Sequence, residues 1–253
     1  MRSIFRLLLL AAGIATGATP PDGAGAPAAA PTAVEVRIKT MLTARLPEAN
    51  IEAVHRSNIA GLFEVILPTE IAYTNEQAEV LLLGHMIDTR TRMDLGTARW
   101  NELHAVPFAS LPLELAIKSV RGDGHRRVAI FADPECPYCR QMEQTLRDVD
   151  NLTIYTFLFP LEDVHPGATR RSHLIWCAND RAGAWAKWLL ERAATTAAEC
   201  GADPIERLQA LARAMDVSAT PTLMFADGRR ISGVLSRANL EHALNGEPLT
   251  YKP

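Results

Sequence analysis

The pattern of apolar positions between residues 34 and 93 changes from the period of a helix to that of strands. A helix is predicted before Pro47 by apolar residues that recur at helical spacing, at Val34, Ile38, Met41, Leu42 and Leu46. Strand-like runs follow at residues 50–55, 62–67, 71–74 and 80–87, with breaks at Gly61 and Pro68. We therefore expect a small α+β domain with a limited core, in which an exposed sheet edge would favour self-association.

Residues 94–124 are expected to form a helical linker. Helix-like patterns occur at residues 97–103 and 111–120, interrupted by Pro107 and Pro112, and a turn signal follows at residues 121–124. Such a segment would hold the domains on either side of it at a fixed distance.

From residue 125 to residue 253, strand and helix patterns alternate as in an α/β domain. The predicted elements, in chain order, are a strand at 127–132, a helix at 136–149, a strand at 152–159, helical residues 168–194, a helix at 204–215, strands at 221–226 and 229–234, and a helix at 236–244. Asp203 and Ser236 are the expected helix caps, with Pro204 in a first turn, and Asp227-Gly228 suits a hairpin turn. The tryptophans of the long helical segment are expected to be packing residues.

Composition and charge exclude some classes of function. The 253 residues are 48% hydrophobic and 22% charged, with a net charge of −3, which is typical of a folded soluble protein. No basic cluster is present that could neutralise a row of phosphates, so we expect no nucleic-acid partner. The seven histidines are scattered, and no pair has the spacing of a metal site, so we expect each to be a surface histidine or one with its hydrogen bonds satisfied.

The first 33 residues have the character of a targeting segment followed by a tether. A short positive start leads into an apolar run that is too short to span a bilayer, and small residues follow up to Ala18. We interpret residues 1–18 as a signal peptide, with a membrane anchor as the alternative. Residues 19–33 are rich in Ala, Pro and Gly and are expected to be a flexible tether.

The chain has four cysteines, and export to an oxidising compartment would make disulfides plausible. Four cysteines allow three pairings. The close pair Cys136 and Cys139 is most naturally one unit, and this choice leaves Cys177 and Cys200 for each other.

Cys136 and Cys139 begin a predicted helix in the run Cys-Pro-Tyr-Cys, which indicates thiol–disulfide exchange. Unpaired N–H groups and the helix dipole at this end favour a thiolate, the form that attacks disulfides. Cys136, first in the helix and expected to be the more exposed, is the predicted attacker, and Cys139, one turn later, is the predicted resolving thiol. The nearby carboxylates of Asp133 and Glu135 would oppose thiolate formation.

Two other interpretations of the Cys-x-x-Cys pair remain open. It could be half of a zinc site, although Cys177 and Cys200 lie far away with no histidine pair beside them. It could also be a purely structural disulfide, although so small a loop would constrain the chain little.

A second motif that points to this chemistry is Thr220-Pro221, at the start of the predicted strand at residues 221–226. The sequence is compatible with a cis peptide bond. Such a bond next to the helix N-terminus would leave backbone groups free to pair with an extended substrate.

Together these features resemble the thioredoxin superfamily, and over residues 34–245 the chain is similar to the periplasmic disulfide isomerases of the DsbC/DsbG kind. The residues that carry the resemblance are the runs 131–139, 175–178 and 219–223, together with Cys200. The small first domain and the linker agree with it. Pro137-Tyr138 occurs in the DsbG branch and in some DsbC proteins, so the branch stays open.

The resemblance implies a thioredoxin-like C-terminal domain with a helical insertion and a cystatin-like N-terminal domain that forms a V-shaped homodimer. It implies a structural disulfide between Cys177 and Cys200. It also implies a cis Pro221 that binds substrate together with Pro137, Tyr138 and Thr220. It implies reduction by a membrane-bound thiol reductase of the DsbD type, and no organic cofactor or metal.

The expected function is that of a periplasmic disulfide isomerase and reductase for misfolded exported proteins, with possible chaperone activity. The alternatives are a DsbG-like reductase of oxidised single cysteines and a DsbA-like thiol oxidase. The oxidase class has no separate dimerisation domain, so residues 34–93 argue against it. A chaperone without redox chemistry is the rival from another class.

Overall fold

A four-stranded antiparallel sheet covered by one helix forms the first part of the fold. In the computed structural model, which describes residues 30–193, 200–201 and 204–250, helix α1 spans Ala33–Arg45. The strands are β1 (Ala53–Arg56), β2 (Phe63–Ile66), β3 (Ile71–Thr74) and β4 (Leu81–Leu82), in the order β1-β2-β3-β4. The predicted α+β arrangement is confirmed, although the last strand is much shorter than predicted.

Helix α1 begins at a capping box and packs an apolar stripe on the sheet. The Thr32 hydroxyl accepts a hydrogen bond from the Glu35 N–H, and the Glu35 carboxylate accepts one from the Thr32 N–H at 2.6 Å. Ile38 and Leu42 are buried against Phe63 and its neighbours in one core cluster. The predicted helix thus owes its position to the apolar spacing seen in the sequence.

Helix α2 (Leu95–Leu103) lies between the two sheets and contacts both. Asp94 caps it, and the Trp100 indole N–H donates to the Leu67 carbonyl at 3.2 Å, next to the first sheet. On the other side, the Arg230 N–H donates to the Asn101 side-chain oxygen at 2.6 Å. These elements belong to one compact unit that begins at Thr32.

The prediction of a second helix in the linker, over residues 111–120, is wrong. The chain forms short 3-10 turns at Phe108–Ser110 and Leu113–Leu115 and then strand β5 (Ile117–Arg121). Pro112 restricts the start of a helix there, and the five residues of β5 pair antiparallel with a neighbouring strand. Hydrogen bonds to a sheet edge therefore override the local helical pattern.

A mixed five-stranded sheet forms the second part of the fold. It contains β5, β6 (Arg126–Ala132), β7 (Leu152–Leu158), β8 (Thr222–Phe225) and β9 (Arg230–Ser232), in the order β5-β7-β6-β8-β9. Only β6 and β7 are parallel, and helix α3 (Pro137–Arg147) connects them. Helix α7 (Arg237–Leu244), capped by Ser236 as predicted, follows β9.

Among the described residues, the chain between β7 and β8 contains the helices α4 (Ala168–Trp176), α5 (Arg181–Glu191) and α6 (Ile205–Ala214). The single helical segment predicted at 168–194 is divided, because the Asp180 side chain accepts from the Gly183 N–H and begins a new helix. Helix α6 is confirmed, with Pro204 preceding its first residue.

Some predictions lie outside the described residues. They are the signal peptide at 1–18, the tether up to residue 29, and the cap at Asp203. Within the described ranges, no helix combines the length and the apolar character needed to cross a membrane.

Candidate active site

The two cysteines of the predicted pair lie at the start of α3, immediately after β6. Cys136 is the N-cap residue, Pro137 is the first helical residue, and Cys139 lies in the first turn. The Cys136 sulfur lies 3.4 Å from the Thr220 carbonyl oxygen, and the Cys139 sulfur accepts from the Asp133 N–H at 3.4 Å. Both side chains are buried, with 3% and 2% exposed, so the expected difference in exposure is very small.

The two thiols differ strongly in pKa. The pKa of Cys136 is lowered to about 5, chiefly because the Cys139 thiol donates a hydrogen bond to it. The backbone N–H groups of Cys139 and Tyr138 and the Thr220 side chain lower it further, while burial opposes them. Burial raises the pKa of Cys139 above its usual range, and the hydrogen bond and charge of Cys136 add to this effect. Near neutral pH, therefore, the thiolate is on Cys136 and the proton is on Cys139.

Thr220 and Pro221 lie beside the cysteines. The peptide bond between them is cis. Pro221 and Cys139 line the same small cavity. The Thr220 hydroxyl is buried, and its interaction with Cys136 is one of the causes that lower the pKa of that thiol. Tyr138, by contrast, has 62% of its surface exposed and extends the site into solvent.

The two carboxylates that were predicted to oppose the thiolate both have partners that offset their negative charge. Asp133 is fully buried and accepts from the Glu135 and Leu161 N–H groups at 2.7 and 2.8 Å, and it pairs with His165 at 2.9 Å. Glu135 forms ion pairs with Arg192 at 3.2 Å and Arg171 at 3.6 Å. Neither carboxylate is among the main influences on the Cys136 pKa.

Cys177 and Cys200 are joined by a disulfide, with 5.4 Å between their Cα atoms. The bond connects the end of α4 with the segment before α6, so it lies within the helical insertion. Of the three pairings open from the sequence, the structure has the one that leaves Cys136 and Cys139 as free thiols. Among the described residues, no group of three or more His, Cys, Asp or Glu side chains is arranged to hold a metal ion.

Residues of the helical insertion also support the site, and the sequence patterns did not reveal them. The Trp188 indole N–H donates to the Pro134 carbonyl at 2.9 Å. Arg171 stacks on the Trp188 ring, 3.5 Å from its centroid, and pairs with Glu135. The contacts with Pro134 and Glu135 join residues more than 30 positions apart, so no local pattern could have indicated them.

Comparisons with known proteins agree with this architecture. A family model described as a thioredoxin-like domain matches residues 113–246, and one described as the N-terminal domain of the disulfide bond isomerase protein matches residues 24–96. The thioredoxin-like fold predicted for the second part of the chain is thereby confirmed.

Three relatives illustrate the similarity. A probable thiol:disulfide interchange protein DsbC of Bordetella parapertussis is 42% identical over 207 residues, which are 82% of this chain and 73% of the relative. The corresponding protein of Bordetella avium is 43% identical over 184 residues, 73% of this chain and 65% of the relative. A crystal structure of a disulfide interchange protein from Neisseria gonorrhoeae is 34% identical, with a TM-score of 0.52, and the match covers 54% of this chain and 98% of that one. The chain therefore belongs to the DsbC family of thiol:disulfide interchange proteins.

Proposed function

We propose that this thiol:disulfide interchange protein is a periplasmic disulfide isomerase and reductase that acts on incorrect disulfides of exported proteins through Cys136 and Cys139. The observation that carries the proposal is the unequal ionisation of the two thiols. With a pKa of about 5, Cys136 is mostly ionised at pH 7. A free thiolate beside a protonated partner is the state that a reductase or isomerase needs at the start of its cycle.

The reaction begins when the Cys136 thiolate attacks one sulfur of a substrate disulfide. A mixed disulfide forms, and the other substrate sulfur leaves as a thiolate. In isomerisation, a substrate thiolate then attacks the mixed disulfide, which forms a new substrate disulfide and releases Cys136. In reduction, Cys139 attacks the Cys136 sulfur instead, which oxidises the enzyme pair and releases a reduced substrate.

The substrate is expected to bind across Pro137, Tyr138, Thr220 and Pro221. Tyr138 offers an exposed aromatic surface directly after the attacking cysteine. An extended peptide at the Thr220–Pro221 segment would bring its disulfide to Cys136, whose sulfur lies 3.4 Å from the Thr220 carbonyl oxygen. The Cys177–Cys200 disulfide has a structural role in this proposal, since it lies in the insertion that supports the site.

Each reductive turnover leaves Cys136 and Cys139 oxidised, so the enzyme needs an electron donor. We assign this role to a membrane-bound thiol reductase of the DsbD type. The predicted signal peptide and the resemblance to periplasmic isomerases support the location and this partner.

The N-terminal domain, placed at residues 34–93, is proposed to form a homodimer. Strand β4 pairs with β3 on one side only, and its residue Leu82 is 52% exposed, with Val80 and Leu83 also exposed beside it. A second copy could cover this apolar edge. A cleft between two catalytic domains would also suit binding of misfolded chains and chaperone activity.

The test is the reactivation of a scrambled, multi-disulfide protein by the reduced enzyme, with Cys136→Ala in parallel. We expect the wild type to restore activity and the variant to be inactive. If the wild type instead only oxidises reduced chains, the protein is an oxidase. A preference for sulfenic acids on single cysteines would identify the alternative reductase. If a variant that lacks both Cys136 and Cys139 keeps the full activity of the wild type, the protein is a chaperone without redox function.

A further inference from the structure

Two arginines of the helical insertion contact the same tryptophan ring beside the active site. The Cζ atom of Arg171 lies 3.5 Å from the centroid of the Trp188 ring, and the Cζ atom of Arg192 lies 5.1 Å from it. The ring is held in place because the Trp188 indole N–H donates to the Pro134 carbonyl at 2.9 Å. The arrangement brings two positive charges next to the backbone that directly precedes Cys136.

The residues around the two arginines balance their charge only in part. Glu135 pairs with Arg192 at 3.2 Å and with Arg171 at 3.6 Å, and among the described residues it is the only carboxylate within ion-pairing distance of either arginine. The neighbouring carboxylates of Asp133 and Glu162 accept hydrogen bonds from backbone N–H groups instead. Two guanidinium groups against one carboxylate leave an excess of one positive charge, in a protein whose net charge is −3.

The two arginines also keep hydrogen-bond donors that the fold does not use. The Arg171 Nε is buried and has no hydrogen-bond partner among the described residues, because 3.6 Å to the Glu135 oxygen is too long for a hydrogen bond. Arg192 donates to Glu135 and Pro134 through its Nη1 alone, although a guanidinium has about five N–H groups. The Arg192 side chain is 37% exposed, so a substrate in solvent can reach it.

The position of the two arginines suits a residue that flanks the reacting sulfur of a substrate. Neither arginine is among the main influences on the Cys136 pKa, so they do not serve chiefly to stabilise the thiolate. Their partner Glu135 directly precedes Cys136, and the Cα atoms of adjacent residues are about 3.8 Å apart. A substrate chain whose cysteine reaches Cys136 therefore passes close to both guanidinium groups.

We propose that Arg171 and Arg192 bind an acidic side chain of the substrate, so that the protein prefers disulfides with Asp or Glu within about two residues of the attacked cysteine. The inference rests on the proposed attack by Cys136 and adds a substrate preference to it. A second carboxylate beside Glu135 makes the group electrically neutral, and the planar guanidinium groups can bind it through paired N–H donors. Stacking on Trp188 holds Arg171 in advance, so less side-chain freedom is lost when the substrate binds.

Two peptides that differ only in charge test this preference. Each is blocked at both ends and carries one cysteine in a disulfide with the same coloured aromatic thiol, and the cysteine is flanked on both sides by Glu in one peptide and by Gln in the other. Attack by Cys136 on the peptide sulfur releases the coloured thiol, and each rate is divided by the rate with a small uncharged thiol to remove intrinsic reactivity. We expect the reduced wild type to prefer the Glu peptide about five- to tenfold at low salt. The preference should shrink toward equality at about 1 M salt, where charges are screened within about 3 Å.

Variants of the arginines separate charge recognition from structural support. Arg171→Gln should bring the ratio of the two rates close to equality, and Arg171→Lys, which keeps the charge but not the planar donors, should give an intermediate ratio. Arg181→Gln is the matched control and should keep the wild-type ratio. Arg181 also stacks on a tryptophan of the insertion, 3.8 Å from the Trp176 centroid, but it lies at the opposite end of α5 from Arg192, roughly 15 Å along the helix. If Arg171→Gln does not fold, Arg192→Gln has the same expected result at a more exposed side chain.

Equal rates for the two peptides with the wild type would overturn the inference, and so would a wild-type ratio in the folded arginine variants. Slowing of both peptides by the same factor would also overturn it, since the arginines would then only support the structure of the site. Failure of the proposed function is distinguishable, because the wild type would keep its preference for the Glu peptide but would not reactivate a scrambled protein.

Discussion

Replacing Cys139 with alanine tests the main cause of the low Cys136 pKa, which is the hydrogen bond from the Cys139 thiol. A hydrogen bond to a charged group contributes about 1.5–3 kcal/mol, which corresponds to about one to two pKa units. The Cys136 pKa of about 5 should therefore rise toward 6 to 7 in Cys139→Ala. The remaining donors would keep it below the usual thiol value.

The assay is the rate at which Cys136 reacts with a small alkylating agent as the pH is varied, followed by mass spectrometry. The midpoint of this profile reports the Cys136 pKa, since only the thiolate reacts. Cys139→Ser is the matched control, because its hydroxyl can still donate, and its midpoint should lie closer to wild type. A midpoint that stays near 5 in Cys139→Ala would refute the assignment of the thiolate to this hydrogen bond.

Three further predictions concern stability and assembly. Because the folded pKa of Cys136 is depressed, its stabilisation is full above the unfolded thiol pKa and is lost as pH falls toward 5. Reduced wild type should therefore gain about 3–4 kcal/mol over Cys136→Ser between pH 5 and pH 8 in denaturant unfolding, and a constant difference would contradict this. Replacing Cys177 and Cys200 with alanine should cost about 3 kcal/mol, as expected for a loop of 23 residues, and unchanged thermal unfolding would argue against a structural role. Leu82→Glu should shift the protein from dimer to monomer in sedimentation velocity, whereas Val164→Glu, at an exposed position that follows β7 in the second part of the fold, should not.

Local patterns predicted most helices and strands because burial of one face leaves a regular spacing. Helix α3 shows this clearly, since Met142 and Leu146 lie on its buried stripe. The segment at 111–120 was mistaken for a helix because Leu111 and Leu115 have a spacing that a helix would share. Its strand β5 depends on the free edge of β7, a partner more than 30 residues away.

The candidate site shows the same division between local and distant information. The Cys-x-x-Cys pair and Thr220-Pro221 were found from the sequence because their chemistry depends on residue types at short spacing. The pairing of Asp133 with His165 and of Glu135 with two arginines could not be found in this way. Both pairings alter the electrostatics that the bare sequence suggested.

The sequence by itself thus determined the class of chemistry, since a thiol pair at a helix N-terminus is a local arrangement that the backbone favours wherever such a helix forms. Only the tertiary structure decided how the protons are shared, because the pKa of each thiol depends on its burial and on its hydrogen bonds with the other thiol and with Thr220. It also decided that Cys139 and Pro221 line the same small cavity. Electrostatic interactions act through space, so their strength follows distances that only the folded chain defines.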